Sequence, residues 1–202
     1  MEVYHGSLTD ITDEYLKPNQ AFNNDLYKPW VYFSSSYVNA LLYSVNPIRS
    51  YLLKNGYLYD ARSFSAHIDF KQTPPIVYEI YDGMFEELFN TRSFIYICDI
   101  DDCNVEGDNK EIKIEKIVRI KKKIEIANFY EELLSMEKND EVALKRFNSW
   151  DTYQYNIFIS DYISTKASSI ETYGEIQFYQ DKFPNNLEIQ KIVTKALERI
   201  EL

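Results

Sequence analysis

WVYFSSSYVNALLY, residues 30–43, decides how the chain folds. Trp30-Val31-Tyr32-Phe33 is a dense aromatic and β-branched run, which suits a pleated, half-buried strand. Ser34-Ser35-Ser36 then offers hydroxyls of the kind that cap a helix N-terminus, and Tyr37–Ser44 reads as that helix. Strand, serine cap and helix follow within fifteen residues. Towards the N-terminus, Glu2-Val3-Tyr4-His5-Gly6 reads as a first strand ended at Gly6, with Ser7 capping a second short helix that runs to Leu16. PNQAFNNDLYKPW, rich in Asn and Pro, is a loop between the two segments.

Towards the C-terminus the chain stays β-rich as far as residue 126. Residues 48–54 are a helical candidate, Asn55-Gly56 a turn with short strands around it, residues 76–80 a strand after Pro74-Pro75, and residues 83–90 a short helix. Residues 93–100 carry aromatic and β-branched side chains on both parities, which predicts a central strand covered on both faces. In EIKIEKIVRIKKKIEI, residues 111–126, apolar residues alternate with charges and break near Lys116-Ile117. This predicts a half-buried strand pair or one long bent strand with a bulge. From Ala127 the apolar spacing turns helical, through Phe129, Leu133, Leu134 and Met136 and on to Leu197.

The composition is that of a folded protein able to bury a core without staples: 202 residues, 45% hydrophobic and 27% charged, with five Gly and six Pro. The count of 18 Tyr is a matter of composition, so position must carry any role given to one of them. A net charge of −10 works against an obligate nucleic-acid or anionic-lipid partner. The local run Arg119-Ile120-Lys121-Lys122-Lys123 is where phosphate contacts would be sought if the acceptor were a nucleic acid. Cys98 and Cys103 form neither a CxxC nor a cysteine–histidine cluster, so no zinc site or disulfide framework is expected and a reducing, cytoplasmic setting fits. Asp99, Asp101 and Asp102 in DIDDCNVEGDN lack the rhythm of a calcium loop and read as a solvated turn, and His67 reads as a strand or loop residue. No metal is expected. No run approaches 18 apolar residues, and MEVYHGSLTD has no basic segment followed by an apolar one, so neither a membrane span nor a secretory signal is read.

Tyr4-His5-Gly6-Ser7, followed by Tyr32-Phe33-Ser34 and by Tyr43 eleven positions after Tyr32, resembles the NAD-binding half of the ADP-ribosyltransferase fold, in its diphtheria-toxin-like and poly(ADP-ribose) polymerase branch. The close resemblance covers about the first 45 residues. It implies an α+β fold: a split mixed or antiparallel sheet with short helices, NAD-binding, over residues 1–126, and an α-helical extension over 127–202 packed on it. It implies an enzyme with NAD+ as substrate, transferring ADP-ribose to a macromolecular acceptor and releasing nicotinamide, as toxins, effectors and phage-conflict proteins do. In that resemblance the Gly6 backbone and the Ser7 hydroxyl hold the carboxamide, Tyr32 and Tyr43 sandwich the ring beside Ser34, and His5 binds the adenine-side ribose. No histidine base is required.

A carboxylate near the ribose would stabilise the oxocarbenium-like cation and orient the nucleophile. The family carries this glutamate on a later strand. Glu111, opening the alternating strand after the acidic loop, is the first candidate, and Glu115 lies on the same face four residues on. Glu175 in TYGEIQFY matches the family motif in its letters, but SSIETYGEIQFYQDKFP also reads as a capped helix stopping before Pro184. Glu79 is a further alternative. With no catalytic acid the chain would be an inactive nucleotide-binding module of the same fold, or an unrelated interaction protein. Position 109 is Asn, so no glutamate stands two residues before Glu111, and arginine is not the expected acceptor.

Overall fold

A computed structural model describes residues 1–18, 30–57, 67–101, 106–107, 111–167, 170 and 172–200. Its elements run β1 (Glu2–Ser7), β2 (Tyr15–Leu16), β3 (Val31–Phe33), α1 (Tyr37–Ser44), α2 (Pro47–Lys54), β4 (Ile68–Asp69), β5 (Ile76–Tyr78), α3 (Met84–Leu88), β6 (Ser93–Asp99), β7 (Glu106–Gly107), β8 (Ile112–Ile114), β9 (Val118–Ile126), α4 (Phe129–Lys138), β10 (Ala143–Lys145), α5 (Thr152–Ala167), α6 (Tyr173–Lys182) and α7 (Leu187–Ile200). The protein is of the α+β class, with mostly antiparallel strands. It forms two compact units, each made of two separated stretches: Met1–Asn46 with Phe89–Met136, and Pro47–Leu88 with Glu137–Leu202. Sequence texture divides the chain once, at 126/127. Packing instead groups residues 47–88 with the C-terminal stretch.

In the first unit, β1, β6, β9 and β2 form an antiparallel sheet in the order β1-β6-β9-β2, and a second sheet has the order β3-β8-β7. Among the described residues an isolated bridge joins them, in which Tyr4 and Ser34 exchange two backbone hydrogen bonds of 2.8 Å. The sheet is therefore split between β1 and β3. Both halves share a core that includes Val3, Phe33, Phe94, Tyr96 and Ile112. β6 lies between β1 and β9 and buries Phe94, Ile95 and Tyr96 in succession, as residues of both parities on a central strand should. The alternating run 111–126 is two strands in different sheets. Its break at residues 115–117 carries the chain from one sheet to the other, and β9 has a register shift against β6 between Ile97 and Cys98.

The helix expected from Ser7 to Leu16 does not form. Ser7 remains in β1 opposite Phe94, and its Oγ accepts a bond from the Thr9 N–H at 3.0 Å. The Tyr96 hydroxyl accepts from the Ile11 N–H at 2.6 Å and donates to the Thr9 carbonyl at 3.1 Å, while Tyr15 and Leu16 pair with β9. Partners about a hundred residues away satisfy backbone groups that a helix would have satisfied locally. The serine-capped helix does form: Ser36 is the N-cap of α1 and accepts from the Asn39 N–H at 3.3 Å.

In the second unit, β10 pairs in parallel with β5, which pairs antiparallel with β4. No strand was expected at 143–145. α6 opens with a capping box, Thr172 and Glu175 bonding each other's backbone N–H, and ends at Phe183, immediately before Pro184. The capped-helix reading of this stretch therefore holds. Among the described residues, no helix is long and apolar enough to cross a membrane.

Candidate functional site at the split of the first sheet

Beyond the Tyr4–Ser34 bridge, a side chain takes over from backbone pairing: His5 Nδ1 lies 2.7 Å from the Tyr32 carbonyl oxygen. A carbonyl only accepts, so Nδ1 carries a proton and donates it. The ring stands 6.0 Å from that of Phe33 and 6.1 Å from that of Tyr96. His5 is thus a tie across the split.

Val31 and Phe33 point into the core, which turns the Tyr32 ring outward, 46% exposed. β3 and β8 pair Tyr32 with Lys113 and Phe33 with Ile112. Tyr32 and Lys113 therefore share the outward face, since Ile112 and Ile114 are buried on the other. On that face the Lys113 ammonium is 2.8 Å from the Glu111 carboxylate and 5.7 Å from the centroid of the Tyr32 ring. Both charged side chains keep more than a third of their surface in solvent. α1 buries Ala40, Leu41, Leu42 and Ser44 and leaves Tyr43 outward, 36% exposed.

His5, Gly6, Ser7, Tyr32, Ser34, Tyr43 and Glu111 therefore all belong to the first unit. Three of them do structural work. A Cβ at Gly6 would lie 1.9 Å from the Ala40 carbonyl oxygen, so the bare glycine admits α1 against β1. Ser7 is buried over its turn, and buried Ser34 accepts at Oγ from the Ser36 N–H at 3.1 Å.

The other glutamates stand elsewhere. Glu175 belongs to the second unit, where its carboxylate accepts from the Thr172 N–H at 3.2 Å and hydroxyl at 3.1 Å. Its place in the capping box accounts for it. Glu79 is buried in the same unit and accepts from the backbone N–H groups of Phe85 and Phe147, at 3.4 and 2.7 Å. Glu115 is not in a strand but in the bend after β8. His67, also in the second unit, is buried in a turn.

Lys113 was missed by sequence reasoning. The alternating EIKIEK contains the signal, but only the register with β3 brings the lysine to Tyr32. Of the basic run on β9, Lys121 pairs with Glu2 and Asp99 and Lys123 with Asp10. Cys98 is buried, which pushes its thiol up to about 12 and keeps it protonated and unreactive. Cys103 and most of the acidic loop lie outside the described residues. Among the described residues, no three His, Cys, Asp or Glu side chains are grouped to hold a metal ion. Compared with known proteins, the chain matches no family model, no curated protein and no solved structure.

Proposed function

We propose that the chain is an ADP-ribosyltransferase that binds NAD+ at the split between β1 and β3. The observation that carries this is the convergence on neighbouring strands of the three residue types such chemistry needs. His5 bonds the backbone of Tyr32, and Glu111, just before β8, pairs with Lys113, whose ammonium lies over the Tyr32 ring. An exposed tyrosine ring offers a stacking surface for a pyridinium, and a nearby carboxylate stabilises the cation that forms when the ring departs. In the reaction the glycosidic bond between ribose C1′ and the nicotinamide nitrogen breaks, and its electron pair leaves with nicotinamide. The acceptor nucleophile bonds to C1′ and loses its proton, which passes to solvent or to Glu111. NAD+ and the protonated acceptor thus give ADP-ribosylated acceptor, nicotinamide and a proton.

Labelled NAD+ incubated with the purified protein and a lysate tests this. Transfer of label and release of nicotinamide are expected, with a loss of about 10²-fold in Glu111→Gln. Absence of both products, with Glu111→Gln behaving identically, would remove the proposal. The ion pair between Glu111 and Lys113 favours a second reading, a module that binds the nucleotide without turning it over. Calorimetric titration with NAD+ separates the two, because binding without nicotinamide release belongs to the second alone.

A further inference from the structure

The Tyr32 face already holds a cation. Lys113 stands directly across the β3–β8 ladder from Tyr32, with its ammonium 5.7 Å from the ring centroid and 2.8 Å from Glu111. An aromatic face flanked by a carboxylate selects for positive charge by the ring quadrupole and by Coulomb attraction together. We propose that Lys113 is an internal stand-in for the substrate's pyridinium, which makes this a site for the oxidised dinucleotide, whose nicotinamide ring is cationic, and not for the reduced form, whose ring is neutral.

This deepens the ADP-ribosyltransferase proposal and rests on it. The ion pair with Glu111 and the contact with the Tyr32 ring are solvent-exposed, and exposed contacts of these kinds are individually weak, so the ammonium can be displaced from them. NAD+ entering the site exchanges one cation for another over Tyr32 and releases Glu111 towards the ribose. NADH carries no charge on its dihydropyridine ring and gains nothing from that exchange. The lysine thus lowers apparent affinity for NAD+ by the strength of its own contacts, and it does so selectively.

Calorimetric titration of NAD+ and NADH into wild type, Lys113→Met, Lys113→Gln and Lys113→Arg tests the proposal, with thermal melts to establish that each variant is folded. Lys113→Met and Lys113→Gln are both expected to bind NAD+ about five-fold more tightly than wild type, which is about 1 kcal/mol. Lys113→Arg should match wild type. NADH should bind more weakly than NAD+ and not gain affinity in any variant. Unchanged or weaker NAD+ binding in both neutral variants would overturn the proposal and make Lys113 a phosphate ligand or a bystander. An equal gain for NADH would also overturn it, reducing Lys113 to a steric obstacle. If wild type and variants all fail to bind NAD+, the ADP-ribosyltransferase proposal falls and this one with it, an outcome distinct from binding that ignores position 113.

Discussion

A methyl group at position 6 would meet the Ala40 carbonyl oxygen at 1.9 Å and the Ser44 Cβ at 2.9 Å, neither of them the end of a flexible side chain. Gly6→Ala must therefore lift α1 from β1, and overpacking of this kind costs about 1–3 kcal/mol. A lower urea midpoint with unchanged slope is the expected result, and an unchanged midpoint would contradict the packing. A second residue acts through charge. Burial alone would raise the Glu87 carboxyl, but the hydrogen bonds from Lys182 and Tyr81 and the charges of Lys182 and Lys54 outweigh it and hold the group below its usual 4.5. Because the folded value lies under the unfolded one, this stabilisation is fully present above about pH 4.5 and is lost as pH falls through the depressed folded value. Unfolding midpoints of wild type and Glu87→Gln should accordingly differ most at neutral pH and converge below pH 4.5, whereas a difference constant down to pH 3 would exclude the linkage.

Among the elements, α6 gives Glu175 a structural role. Thr172 and Glu175 close a reciprocal capping box, so Glu175→Ala leaves the Thr172 N–H without that acceptor and should cost about 1 kcal/mol of stability. NAD+ affinity and nicotinamide release should be untouched by it. A loss of turnover larger than the loss of stability explains would return Glu175 to the list of catalytic acids. The same helix was legible in the sequence because its signals are local: a threonine cap, a glutamate three residues on, a proline just past the end. The run from Val31 to Ser44 was legible for the same reason. What failed to be legible was set by distant partners. Ser7 carries a good cap signal, yet β6 pairs with Ser7 and β9 with Tyr15 and Leu16, and β10 is three residues long and pairs with β5, some seventy positions earlier. In the candidate site, His5, Tyr32 and Glu111 could be picked out by their place in short motifs that resemble a known family. Lys113 needed the pairing register, and the packing role of Gly6 needed the position of α1.

At the scale of the whole chain, the order of elements and the order of packing differ. Sequence texture changes from β to α near residue 127, but β5 of the 47–88 stretch pairs with β10, the Tyr51 hydroxyl donates to Asp181, Lys182 pairs with Glu87, and Gly174 packs under Leu52 and Tyr57. All of these contacts bind residues 47–88 to residues beyond 137. A fragment of residues 1–126 keeps the strands of the first unit but loses Phe129, whose ring meets that of Phe89 edge-on at 5.1 Å, and Leu133, which is wholly buried. It also retains the 47–88 stretch without the strand and helices that cover it, so Val77, Ile80, Met84 and Phe85, all buried in the full chain, would face water. The fragment is therefore expected to lack a cooperative thermal transition and to bind a dye specific for exposed apolar surface. A chimaera that joins residues 1–46 to 89–136 through a short flexible linker removes the orphaned stretch and keeps Phe129 and Leu133, and it should melt cooperatively. If the 1–126 fragment melts as sharply as the full chain, residues 47–88 have enough partners before 127, and the grouping by packing would have to give way to the boundary that the change in sequence texture suggests.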